Sequence, residues 1–431
     1  MERDKVRVGL LGMGTVGRGV YRLLQDNAPL ITRRVGIPVE VGRVLVRDRF
    51  KDRGIAVPEG ILTDCADDIL RDPAIDIVVE VMGGTGLARE LVLKALSQKK
   101  SVVTANKDMM AAFGKELFAA AQANGRDLFF EAGVAGGIPI IRVLKECLAG
   151  DRIRQVMGIV NGTTNYMLTR MSREGAEFDA VLRAAQAAGY AEADPTNDVE
   201  GYDAARKIAI LASIAFNTRI ALDDVYVEGI TRITAEDIRY AAELGYAVKL
   251  LGIARDTPEG VEVRVHPALL PQSHPLAAVN DVFNAVFVEG EAVGETMFYG
   301  RGAGELPTAS AVVADVIDAA RNLRYRVPGI ISCTCFTERP VKPMGRVVSR
   351  NYLRLRVIDR PGVLAQIAFV FGENQVSLAS VIQKQTVGAM AELVLITHDV
   401  AEENLHRALT TLAELPVVDR VFNVIRVVDG A

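Results

Sequence analysis

The sequence predicts an α/β protein built in three parts: a doubly wound parallel sheet, a mixed α/β region and a small C-terminal βαββαβ unit. Strand and helix patterns alternate from Val6 to about residue 131, as in a parallel sheet covered by helices on both faces. A glycine-rich segment over residues 133–139 ends this alternation. From residue 352 to residue 427 the order is strand, helix, strand, strand, helix, strand, which is the ferredoxin-like order.

The length and composition are those of an ordinary globular protein. The 431 residues allow two or three domains, each with its own core. Hydrophobic residues make up 50% and charged residues 24% of the chain, and the net charge is −4, so neither a nucleic acid nor an anionic membrane is expected as a partner. Because the N-terminus has no apolar signal segment and no apolar run reaches the ~18 residues of a membrane span, a cytoplasmic location is expected.

Cysteine and histidine usage argues against two kinds of chemistry. Four cysteines do not make a disulfide framework at this length. Cys333 and Cys335 flank one threonine, a spacing too short for a zinc-binding pair, and Cys65 and Cys147 stand alone. The four histidines show no ligand or triad pattern. Neither a zinc site nor a cysteine or histidine nucleophile is predicted.

The first predicted strand leads into a glycine-rich turn. An apolar run over residues 6–11 ends at Gly12, and Gly14 and Gly17 follow with G-x-G-x-x-G spacing before a helical pattern. In this context the first glycine makes the turn, the second lets the backbone approach a pyrophosphate, and the third lets helix and strand pack. The turn therefore predicts dinucleotide binding. The other residues of this predicted cofactor site are Met13, Thr15 and Val16.

The end of the second strand bears on which cofactor is bound. The strand pattern over residues 39–46 is followed by Arg47, Asp48 and Arg49. An acid at this point binds the ribose hydroxyls of NAD, whereas an arginine suits the 2′-phosphate of NADP. Arg47 favours NADP and Asp48 keeps NAD open. A solvated basic turn is an equally good interpretation.

Polar residues follow the next three predicted strands, which cover residues 75–82, 101–105 and 128–131. In a doubly wound sheet, ligands gather at the carboxyl ends of the strands. Lys107 is placed there to meet a carboxylate or a phosphate, although a loop lysine taken alone is more often solvated surface. The candidate ligand contacts at these strand ends are Thr85, Thr104, Lys107 and Glu131.

An acidic stretch that ends in a lysine is the main candidate for catalysis. A helical pattern begins at Asp203, so Asp203 and Lys207 share a face, and the ammonium lies at the rim of an apolar stripe. A lysine so placed can donate and take back a proton. Taken alone, the stretch is equally well interpreted as an ordinary helix ion pair, and its spacing does not match a calcium loop. Its carboxylates are Glu192, Asp194, Asp198, Glu200 and Asp203.

A second glycine-rich segment precedes a helix in the last third of the chain. Gly302 and Gly304 come before Pro307, and a helical pattern runs from about residue 309 to residue 321. Glycines before a helix with proline near its start fit a contact between backbone and ligand. We expect this helix to return to the dinucleotide-binding domain.

These patterns divide the chain into four segments. Several prolines without a periodic pattern predict a linker before the C-terminal unit. The predicted segments are a dinucleotide-binding (Rossmann) domain over residues 1–132 plus about 305–322, a mixed α/β substrate-binding and dimerisation domain over 133–304, the linker over 323–349 and a regulatory domain over 350–431.

With these motifs in place, the chain resembles homoserine dehydrogenase of the form that carries a C-terminal ACT domain, over nearly its whole length. The resemblance implies reversible interconversion of L-homoserine and L-aspartate 4-semialdehyde with NAD or NADP, on the route to threonine, methionine and isoleucine. The most specific motifs are the stretch from Gly189 to Lys207, Asn161-Gly-Thr-Thr-Asn165, Thr104-Ala-Asn-Lys107 and Gly302-Ala-Gly304-Glu-Leu-Pro-Thr-Ala.

The resemblance also implies roles for individual residues. Lys207 would donate a proton to the aldehyde oxygen and would act as the base in the reverse direction. Lys107 would touch both cofactor and substrate. Glu192 would hold the substrate ammonium, and Asp203 together with Asp198 would bind the substrate.

Further contacts implied by the resemblance concern the cofactor and a cation. Gly189 and Gly304 would contact the cofactor. In this family a sodium-like ion is bound where the first domain ends, which suits a hard cation that prefers oxygen ligands. Its ligands would be Glu131 and backbone oxygens near Val134, Gly136 and Ile138.

The C-terminal domain would bind an amino acid. The turn that contains Asp359 and Gly362 matches the place where ACT domains usually bind an amino acid between paired subunits, so a homodimer or homotetramer is expected. L-threonine is the natural hypothesis for the effector. Use of the domain for oligomer contacts alone stays open, since fold does not give function.

Two other functions use the same features. A non-catalytic amino-acid sensor with a silent dehydrogenase body is disfavoured, because such a protein has no need of Lys107 and Lys207 with their acidic neighbours. An acylating semialdehyde dehydrogenase would need an activated cysteine. Neither Cys65 nor Cys147 has a partner histidine in the sequence.

Overall fold

The structure is a computed structural model that describes residues 4–428. These residues form two compact units, each assembled from separate stretches of the chain. The first unit contains the described residues up to Ile153 together with Ala209–Leu222 and Asn284–Glu338. The second unit contains Arg154–Ile208, Asp223–Phe283 and the described residues from Arg339 onward.

Strands and helices alternate along most of the described chain. The first elements are β1 (Val6–Leu11), α1 (Thr15–Asp26), α2 (Ala28–Val35), β2 (Val39–Leu45), β3 (Leu62–Thr63), α3 (Asp67–Leu70), β4 (Ile77–Glu80), α4 (Leu87–Ser97), β5 (Ser101–Thr104), α5 (Lys107–Ala123) and β6 (Leu128–Phe129). The middle elements are β7 (Ile153–Ile159), α6 (Gly162–Glu174), α7 (Phe178–Ala187), α8 (Thr196–Val199), α9 (Tyr202–Ala215), β8 (Tyr226–Val227), α10 (Ala235–Glu243), β9 (Tyr246–Thr257), β10 (Gly260–Pro271), β11 (Phe283–Gly290) and β12 (Gly294–Arg301). The last elements are α11 (Glu305–Tyr325), β13 (Val348–Ile358), α12 (Val363–Glu373), β14 (Leu378–Val387), β15 (Met390–Thr397), β16 (Val400–Ala401), α13 (Glu402–Glu414) and β17 (Val418–Val427).

The first unit is organised by a parallel sheet in the order β3-β2-β1-β4-β5-β6. Its central strands β4 and β5 are buried along their whole length, as expected when helices cover both faces. The strand order reverses direction between β1 and β4, so a crevice forms beyond their carboxyl ends. The predicted doubly wound sheet is confirmed.

Helix α11 belongs to the core of this sheet although it is remote in sequence. Val312 shares one hydrophobic cluster with Val8 of β1 and Val20 of α1. Gly19 of α1 lies so close to α11 that an added Cβ would be 2.8 Å from the Glu305 carbonyl oxygen. Glycine at this position therefore permits close packing of the two helices.

The second unit contains a mixed sheet in the order β7-β9-β10-β17-β13-β15-β14. Strands β9 and β10 form a long antiparallel hairpin. Strand β10 pairs in parallel with β17 through Ala268↔Arg426 and Leu269↔Val427. The C-terminal unit, with the predicted order β13-α12-β14-β15-α13-β17, thus continues the sheet of the middle region. The predicted ferredoxin-like arrangement is confirmed.

Several element boundaries differ from the sequence prediction. Strands β9 and β10 extend well beyond the short segments at residues 252–254 and 261–265. In β10, apolar and polar residues alternate over residues 261–266, and the alternation stops at Pro267 although the strand continues to Pro271. The helix predicted over 309–321 begins at Glu305 and ends at Tyr325. Pro307 is accommodated in its first turn, where a missing N–H costs no helical hydrogen bond.

The segment over residues 140–148 is not a regular α-helix. Its regular part, Val143–Cys147, is a π-helical turn. Ahead of it, the backbone N–H groups of Ile140, Ile141 and Arg142 are held by the side chain of Glu131. A buried carboxylate therefore fixes the backbone at this point. A helical pattern of apolar residues does not reveal such an interaction.

Candidate active site

The glycine turn after β1 contains three different environments. Gly12 has φ +104°, and an added Cβ there would lie 3.0 Å from the carbonyl oxygen of Val81. At Gly17 an added Cβ would lie 2.3 Å from the Gly12 carbonyl oxygen. At Gly14 no described atom lies within 4 Å of that position. The fold therefore requires glycine at Gly12 and Gly17. Gly14 instead leaves open space at the N-terminus of α1, where a pyrophosphate fits.

The other predicted cofactor residues of this region differ in exposure. Met13 is buried, Val16 is half-buried and Thr15 is exposed. After β2, Arg47 and Asp48 are both exposed. The Asp48 carboxylate accepts the backbone N–H of Phe50 at 2.8 Å and so stabilises the turn in which it lies.

A buried glutamate organises the next strand ends. Glu80, the last residue of β4, is fully buried. Its Oε1 accepts the backbone N–H groups of Met82 at 2.8 Å and Gly83 at 3.1 Å, and its Oε2 accepts the Thr104 hydroxyl at 2.6 Å. Glu80 therefore fixes both the loop that carries Thr85 and the end of β5. Sequence reasoning missed this residue, although an acid at the end of an apolar strand is a visible signal.

Lys107 is the first residue of α5. Asn106 caps this helix, since its Oδ1 accepts the N–H of Met109 at 3.0 Å. The Asn106 Nδ2 donates to the Gly84 carbonyl oxygen at 2.7 Å and so joins two strand-end loops. Lys107 is half-buried at this helix N-terminus, where both its charge and the helix dipole favour an anionic group.

Glu131 is the centre of the connection after β6. The carboxylate is buried and accepts the N–H groups of Ile140 at 2.6 Å, Ile141 at 2.8 Å and Arg142 at 2.8 Å. Burial raises the pKa of Glu131, while these donors and the charge of Arg142 oppose that rise. A carboxylate offers about four acceptor sites, so one remains available for a further ligand.

The other predicted cation ligands lie in the same buried connection. Val134, Gly136 and Ile138 are all buried. Within the described residues, no backbone N–H donates to their carbonyl oxygens. Buried carbonyl groups without donors, beside a carboxylate, are the oxygen ligands that a hard cation prefers. The donor set of this connection fits such an ion.

In the second unit, four side chains form one network, the lysine–carboxylate cluster: Lys207, Asp203, Asn161 and Asp198. Lys207 Nζ donates to Asp203 Oδ2 at 2.7 Å and to the Val160 carbonyl oxygen at 2.6 Å. Asn161 Nδ2 donates to the same Asp203 oxygen at 2.9 Å and to Asp198 Oδ1 at 2.7 Å. The Lys207 and Asp203 side chains are each 12% exposed, so the cluster is screened but not closed.

Asn161 is fixed in orientation by its own partners. It caps α6, because its Oδ1 accepts the N–H of Thr164 at 2.9 Å. That bond assigns the oxygen, so the Nδ2 must face the two carboxylates. Sequence reasoning placed Asn161 in a specific motif but gave it no role, and only the fold shows that α6 begins beside α9.

The two carboxylates of the cluster are not equivalent. Burial raises the pKa of Asp198, and the negative charge of Asp203 adds to the rise. Hydrogen bonds from Asn161 and Thr163 and the charge of Lys207 oppose it. The charged form of Asp198 is thus stabilised by hydrogen-bond donors and by the positive charge of Lys207.

The loop that holds Glu192 and Gly189 lies apart from these hydrogen bonds. Thr163 Oγ1 donates to the Tyr190 carbonyl oxygen at 2.8 Å and so fastens the loop to the start of α6. Glu192 is exposed, and the described contacts of its side chain do not join the lysine–carboxylate cluster. Gly189 is exposed with φ +75°, after the end of α7.

Gly304 is the residue before α11. Its φ of +124° is a conformation that an L-residue rarely adopts, and it is exposed. The neighbouring Gly302 has no room for a side chain, since a Cβ would lie 2.0 Å from Asn284 Nδ2. A Cβ on Gly136 would in turn lie 2.4 Å from the Gly302 carbonyl oxygen. The segment before α11 therefore packs directly on the predicted cation ligands.

The predicted effector residues lie in one turn of the C-terminal unit. Asp359 and Gly362 are exposed, and Gly362, with φ +85°, precedes α12. The Thr386 hydroxyl donates to Asp359 Oδ2 at 3.3 Å. The turn therefore presents a helix N-terminus and a carboxylate side by side on the surface.

Among residues 4–428, no helix is long and apolar enough to cross a membrane. No group of three or more histidine, cysteine, aspartate or glutamate side chains in the same residues is arranged to hold a metal ion.

Taken together, these features define a class of protein. A parallel sheet with a G-x-G-x-x-G turn, a lysine held by carboxylates and a C-terminal βαββαβ unit characterise a nicotinamide-dependent dehydrogenase with an appended small-ligand domain. Three family models match the chain in this order: the NAD-binding domain of homoserine dehydrogenase over residues 12–131, homoserine dehydrogenase over residues 139–317 and the ACT domain over residues 351–417.

Relatives over the full length agree with this order. The homoserine dehydrogenase of Bacillus subtilis is 47% identical, with 98% of each chain covered, and that of Corynebacterium glutamicum is 48% identical over 98% of this chain and 95% of the relative. The crystal structure of a homoserine dehydrogenase from Thiobacillus denitrificans is 46% identical and has a TM-score of 0.94, covering 99% of this chain and 98% of that one. The chain belongs to the homoserine dehydrogenase family, and it is an NAD(P)-dependent oxidoreductase with an ACT domain.

A more distant structure contains a cofactor. A hyperthermophilic archaeal homoserine dehydrogenase in complex with NADPH is 29% identical, with a TM-score of 0.62 over 73% of this chain and 97% of that one. This share of the chain is close to the share covered by the two homoserine dehydrogenase family models, which match residues 12–131 and 139–317.

Proposed function

We propose that this enzyme interconverts L-homoserine and L-aspartate 4-semialdehyde, with Lys207 as the group that transfers the proton. The observation that carries the proposal is the geometry of the Lys207 ammonium. Asp203 and the Val160 carbonyl oxygen accept two of its three hydrogens, so one donor remains for a substrate oxygen. In reduction of the semialdehyde, Lys207 gives this proton to the aldehyde oxygen as it becomes an alkoxide.

The reverse reaction uses the same lysine as a base. Bound NAD(P) supplies the hydride acceptor. Neutral Lys207 takes the proton from the substrate hydroxyl while the carbon loses its hydride, so charge does not accumulate on the oxygen. Asp203 lies 2.7 Å from Nζ and stabilises the ammonium that results. Asn161 holds Asp203 and Asp198 in place from the opposite side.

Substrate recognition falls to the acidic residues and to Lys107. We assign Asp198 and Asp203 to the polar end of the amino-acid substrate and Glu192 to its ammonium. Because Glu192 is exposed on a loop outside the cluster, this assignment requires the loop to order on the substrate. Lys107, at the N-terminus of α5, is assigned to cofactor and substrate, since an anion is favoured there.

Cofactor choice is proposed to depend on Arg47. Arg47 follows the end of β2 and is exposed, so its guanidinium is available to a 2′-phosphate, while the exposed Asp48 remains available to the ribose hydroxyls of NAD. NADP is therefore the preferred candidate and NAD the alternative. Thr85, Thr104, Gly189 and Gly304 are proposed to complete the cofactor contacts.

We also propose a bound cation and an amino-acid effector. A sodium-like ion at Glu131, Val134, Gly136 and Ile138 is supported by the unused carbonyl groups and the remaining acceptor site of Glu131. L-threonine is proposed to bind at the turn of Asp359 and Gly362, between the ACT domains of a homodimer or homotetramer. The product would serve threonine, methionine and isoleucine synthesis, and threonine would be the feedback inhibitor.

The deciding measurement is absorbance at the reduced-nicotinamide band with L-homoserine, using NAD and NADP separately, with and without L-threonine. We expect phosphate-independent turnover with at least one cofactor, and inhibition by L-threonine. A requirement for phosphate would indicate an acylating enzyme. Absence of turnover in folded protein would indicate an amino-acid sensor.

A further inference from the structure

The first unit contains a pair of thiols that the proposed reaction does not use. Cys333 and Cys335 lie in the segment after α11, and both are partly exposed. Arg219 Nη2 is 3.5 Å from the Cys333 sulfur. The Cys335 thiol donates to the Ser213 carbonyl oxygen, which is 3.6 Å from its sulfur. The Cys333 sulfur thus has a guanidinium as its neighbour, whereas the Cys335 thiol has a carbonyl acceptor that favours its protonated form.

The surroundings of this pair are cationic and otherwise apolar. The pair lines a small cavity together with Arg219, Lys145 and Phe118. The Lys145 ammonium is 5.1 Å from the centre of the Phe118 ring, and burial lowers its pKa. Two cationic side chains that line the same cavity as the thiols favour a negative charge on the Cys333 sulfur.

The two thiols respond to this environment in opposite directions. The interaction with Cys335, followed by the charges of Arg219 and Lys145, lowers the pKa of Cys333 against the effect of burial. The pKa of Cys335 is raised by its interaction with Cys333 and by burial. The guanidinium beside Cys333 and the carbonyl acceptor beside Cys335 act in the same directions, so Cys333 is the more acidic thiol of the two.

We propose that Cys333 and Cys335 form a peroxide-oxidisable dithiol, in which Cys333 is the attacking thiolate and Cys335 the resolving thiol. The Cys333 sulfur attacks one oxygen of a hydroperoxide and becomes a sulfenic acid, while the O–O bond breaks and water or an alcohol leaves. The Cys335 sulfur then displaces the hydroxyl group of the sulfenic acid as water. Two thiols lose two protons and two electrons in total, and the peroxide accepts them. A dithiol reductant reverses the step.

The chain provides internal controls for this proposal. Cys65 and Cys147 are both exposed, more so than the pair. If accessibility alone governed reactivity, these two would react first. Faster reaction of the less exposed Cys333 would therefore report its thiolate character, since the thiolate and not the thiol is the nucleophile.

The first test is timed alkylation with iodoacetamide from pH 5.5 to pH 8.5, read for each cysteine by mass spectrometry. Below pH 7, more than one unit beneath the ordinary thiol pKa of about 8.5, Cys333 is expected to react at least ten times faster than Cys65 and Cys147. Rates for Cys333 that rise with pH in parallel with those two controls would overturn the proposal.

The second test is treatment of the full chain with one equivalent of hydrogen peroxide. Trypsin releases both thiols in the single peptide 327–346, because prolines follow Arg339 and Lys342. The peptide is expected to lose two hydrogens and to regain them with dithiothreitol, while the Cys65 and Cys147 peptides stay reduced. The proposal would be contradicted if peptide 327–346 gained oxygen without losing two hydrogens. It would also be contradicted if Cys65 or Cys147 were oxidised before the pair.

Variants separate the roles of the neighbours. Arg219→Gln should slow alkylation of Cys333 below pH 7 several-fold, whereas Arg71→Gln, which removes a 71% exposed arginine of the same unit, should not. In Cys335→Ser, peroxide should leave a sulfenic acid on Cys333 that dimedone traps. Equal rates in Arg219→Gln and wild type, or no dimedone adduct in Cys335→Ser, would count against the assignment. A melting temperature close to that of wild type verifies that each variant is folded.

Discussion

The ammonium of Lys207 lies 2.7 Å from the carboxylate of Asp203, one helical turn earlier on α9, and each side chain is 12% exposed. Surface pairs of this spacing contribute a few tenths of a kcal/mol. Here Asp203 also accepts from Asn161, so it has no freedom to turn away from the lysine. The pair is held rigidly in a partly desolvated position, as a proton-transfer group must be.

Replacing Lys207 should remove the proton donor without disturbing cofactor binding. We expect Lys207→Met to lower kcat by about 10²–10⁴-fold, the usual contribution of general acid–base catalysis. Cofactor affinity, measured by fluorescence titration of the reduced nicotinamide, should be unchanged. Arg206→Met, which removes a cation from the neighbouring position of α9, serves as the matched control. Near-wild-type turnover in Lys207→Met would refute the role assigned to this lysine.

Asn161 should act by positioning the two carboxylates. In Asn161→Ala, Asp203 and Asp198 lose their common donor, and we expect kcat to fall about 10–100-fold, with a smaller change in KM. Since the Asn161 hydrogen bond lowers the pKa of Asp198, its loss should raise that pKa further and move the acid limb of the pH–rate profile to higher pH.

A purely structural role would lower activity equally at every pH. Asn197→Ala is the control for this variant, because Asn197 is exposed in the same acidic stretch and contacts Arg206 rather than the cluster. An acid limb that stays at its wild-type position in Asn161→Ala would show that Asn161 does not tune Asp198.

Most of the fold was predictable from the sequence because its signals are local. The glycine turn, the alternating strands and helices, and the i,i+4 placement of Asp203 and Lys207 each depend on neighbouring residues. The lysine–carboxylate cluster was only half predictable, because Asn161 and Asp203 are far apart in sequence and meet only when β7 and α9 are packed. Glu80 is visible as an acid at the end of an apolar strand, but its role was not predictable, since its partner Thr104 comes from the next strand.

The glycines of the turn after β1 should separate binding from folding. In Gly14→Ala the new Cβ meets open space, so the protein should melt normally but bind NADP or NAD at least about ten times more weakly, because the methyl group occupies the pyrophosphate position. In Gly17→Ala the Cβ would be 2.3 Å from a backbone oxygen, so the melting temperature should fall.

Differential scanning fluorimetry with and without cofactor measures both effects. The cofactor-induced rise in melting temperature should be lost in Gly14→Ala, whose unliganded melting temperature equals that of wild type. A large loss of unliganded stability in Gly14→Ala would contradict the open space at this turn. Gly150→Ala is a useful control, because its position is also open, has no left-handed backbone and lies outside the turn.

Glu80 should fix the loop that carries Thr85. Glu80→Gln keeps the size of the side chain but replaces one acceptor oxygen by an NH₂ group. That group would face either the Thr104 hydroxyl or the N–H groups of Met82 and Gly83, and a buried donor without an acceptor costs about 1–3 kcal/mol. We expect a lower melting temperature and a higher KM for the cofactor. Glu40→Gln, on an exposed residue of β2, should change neither quantity.

Lys249 should make the stability of the second unit depend on alkaline pH. Its side chain is buried on β9 and donates to the carbonyl oxygen of Val279 and to Asn165 and Asn280. Burial, followed by the nearby charge of Arg173, lowers its pKa to about 8. The unfolded chain binds a proton at Lys249 below pH ~10.4, whereas the folded chain does so only below about 8. This group therefore favours folding above pH ~10.4, and that contribution is lost as the pH falls from ~10.4 to about 8.

The variant Lys249→Gln keeps a hydrogen-bond donor but cannot titrate, so it isolates this contribution. The difference in melting temperature between wild type and Lys249→Gln should grow in favour of wild type as the pH is raised from 8 to 10, by roughly a few degrees. Lys5→Gln, which removes an exposed lysine, should give a difference that does not vary with pH. A constant or shrinking difference for Lys249→Gln would mean that the lysine is already charged in the folded protein at pH 10. Its three oxygen partners would then outweigh its burial.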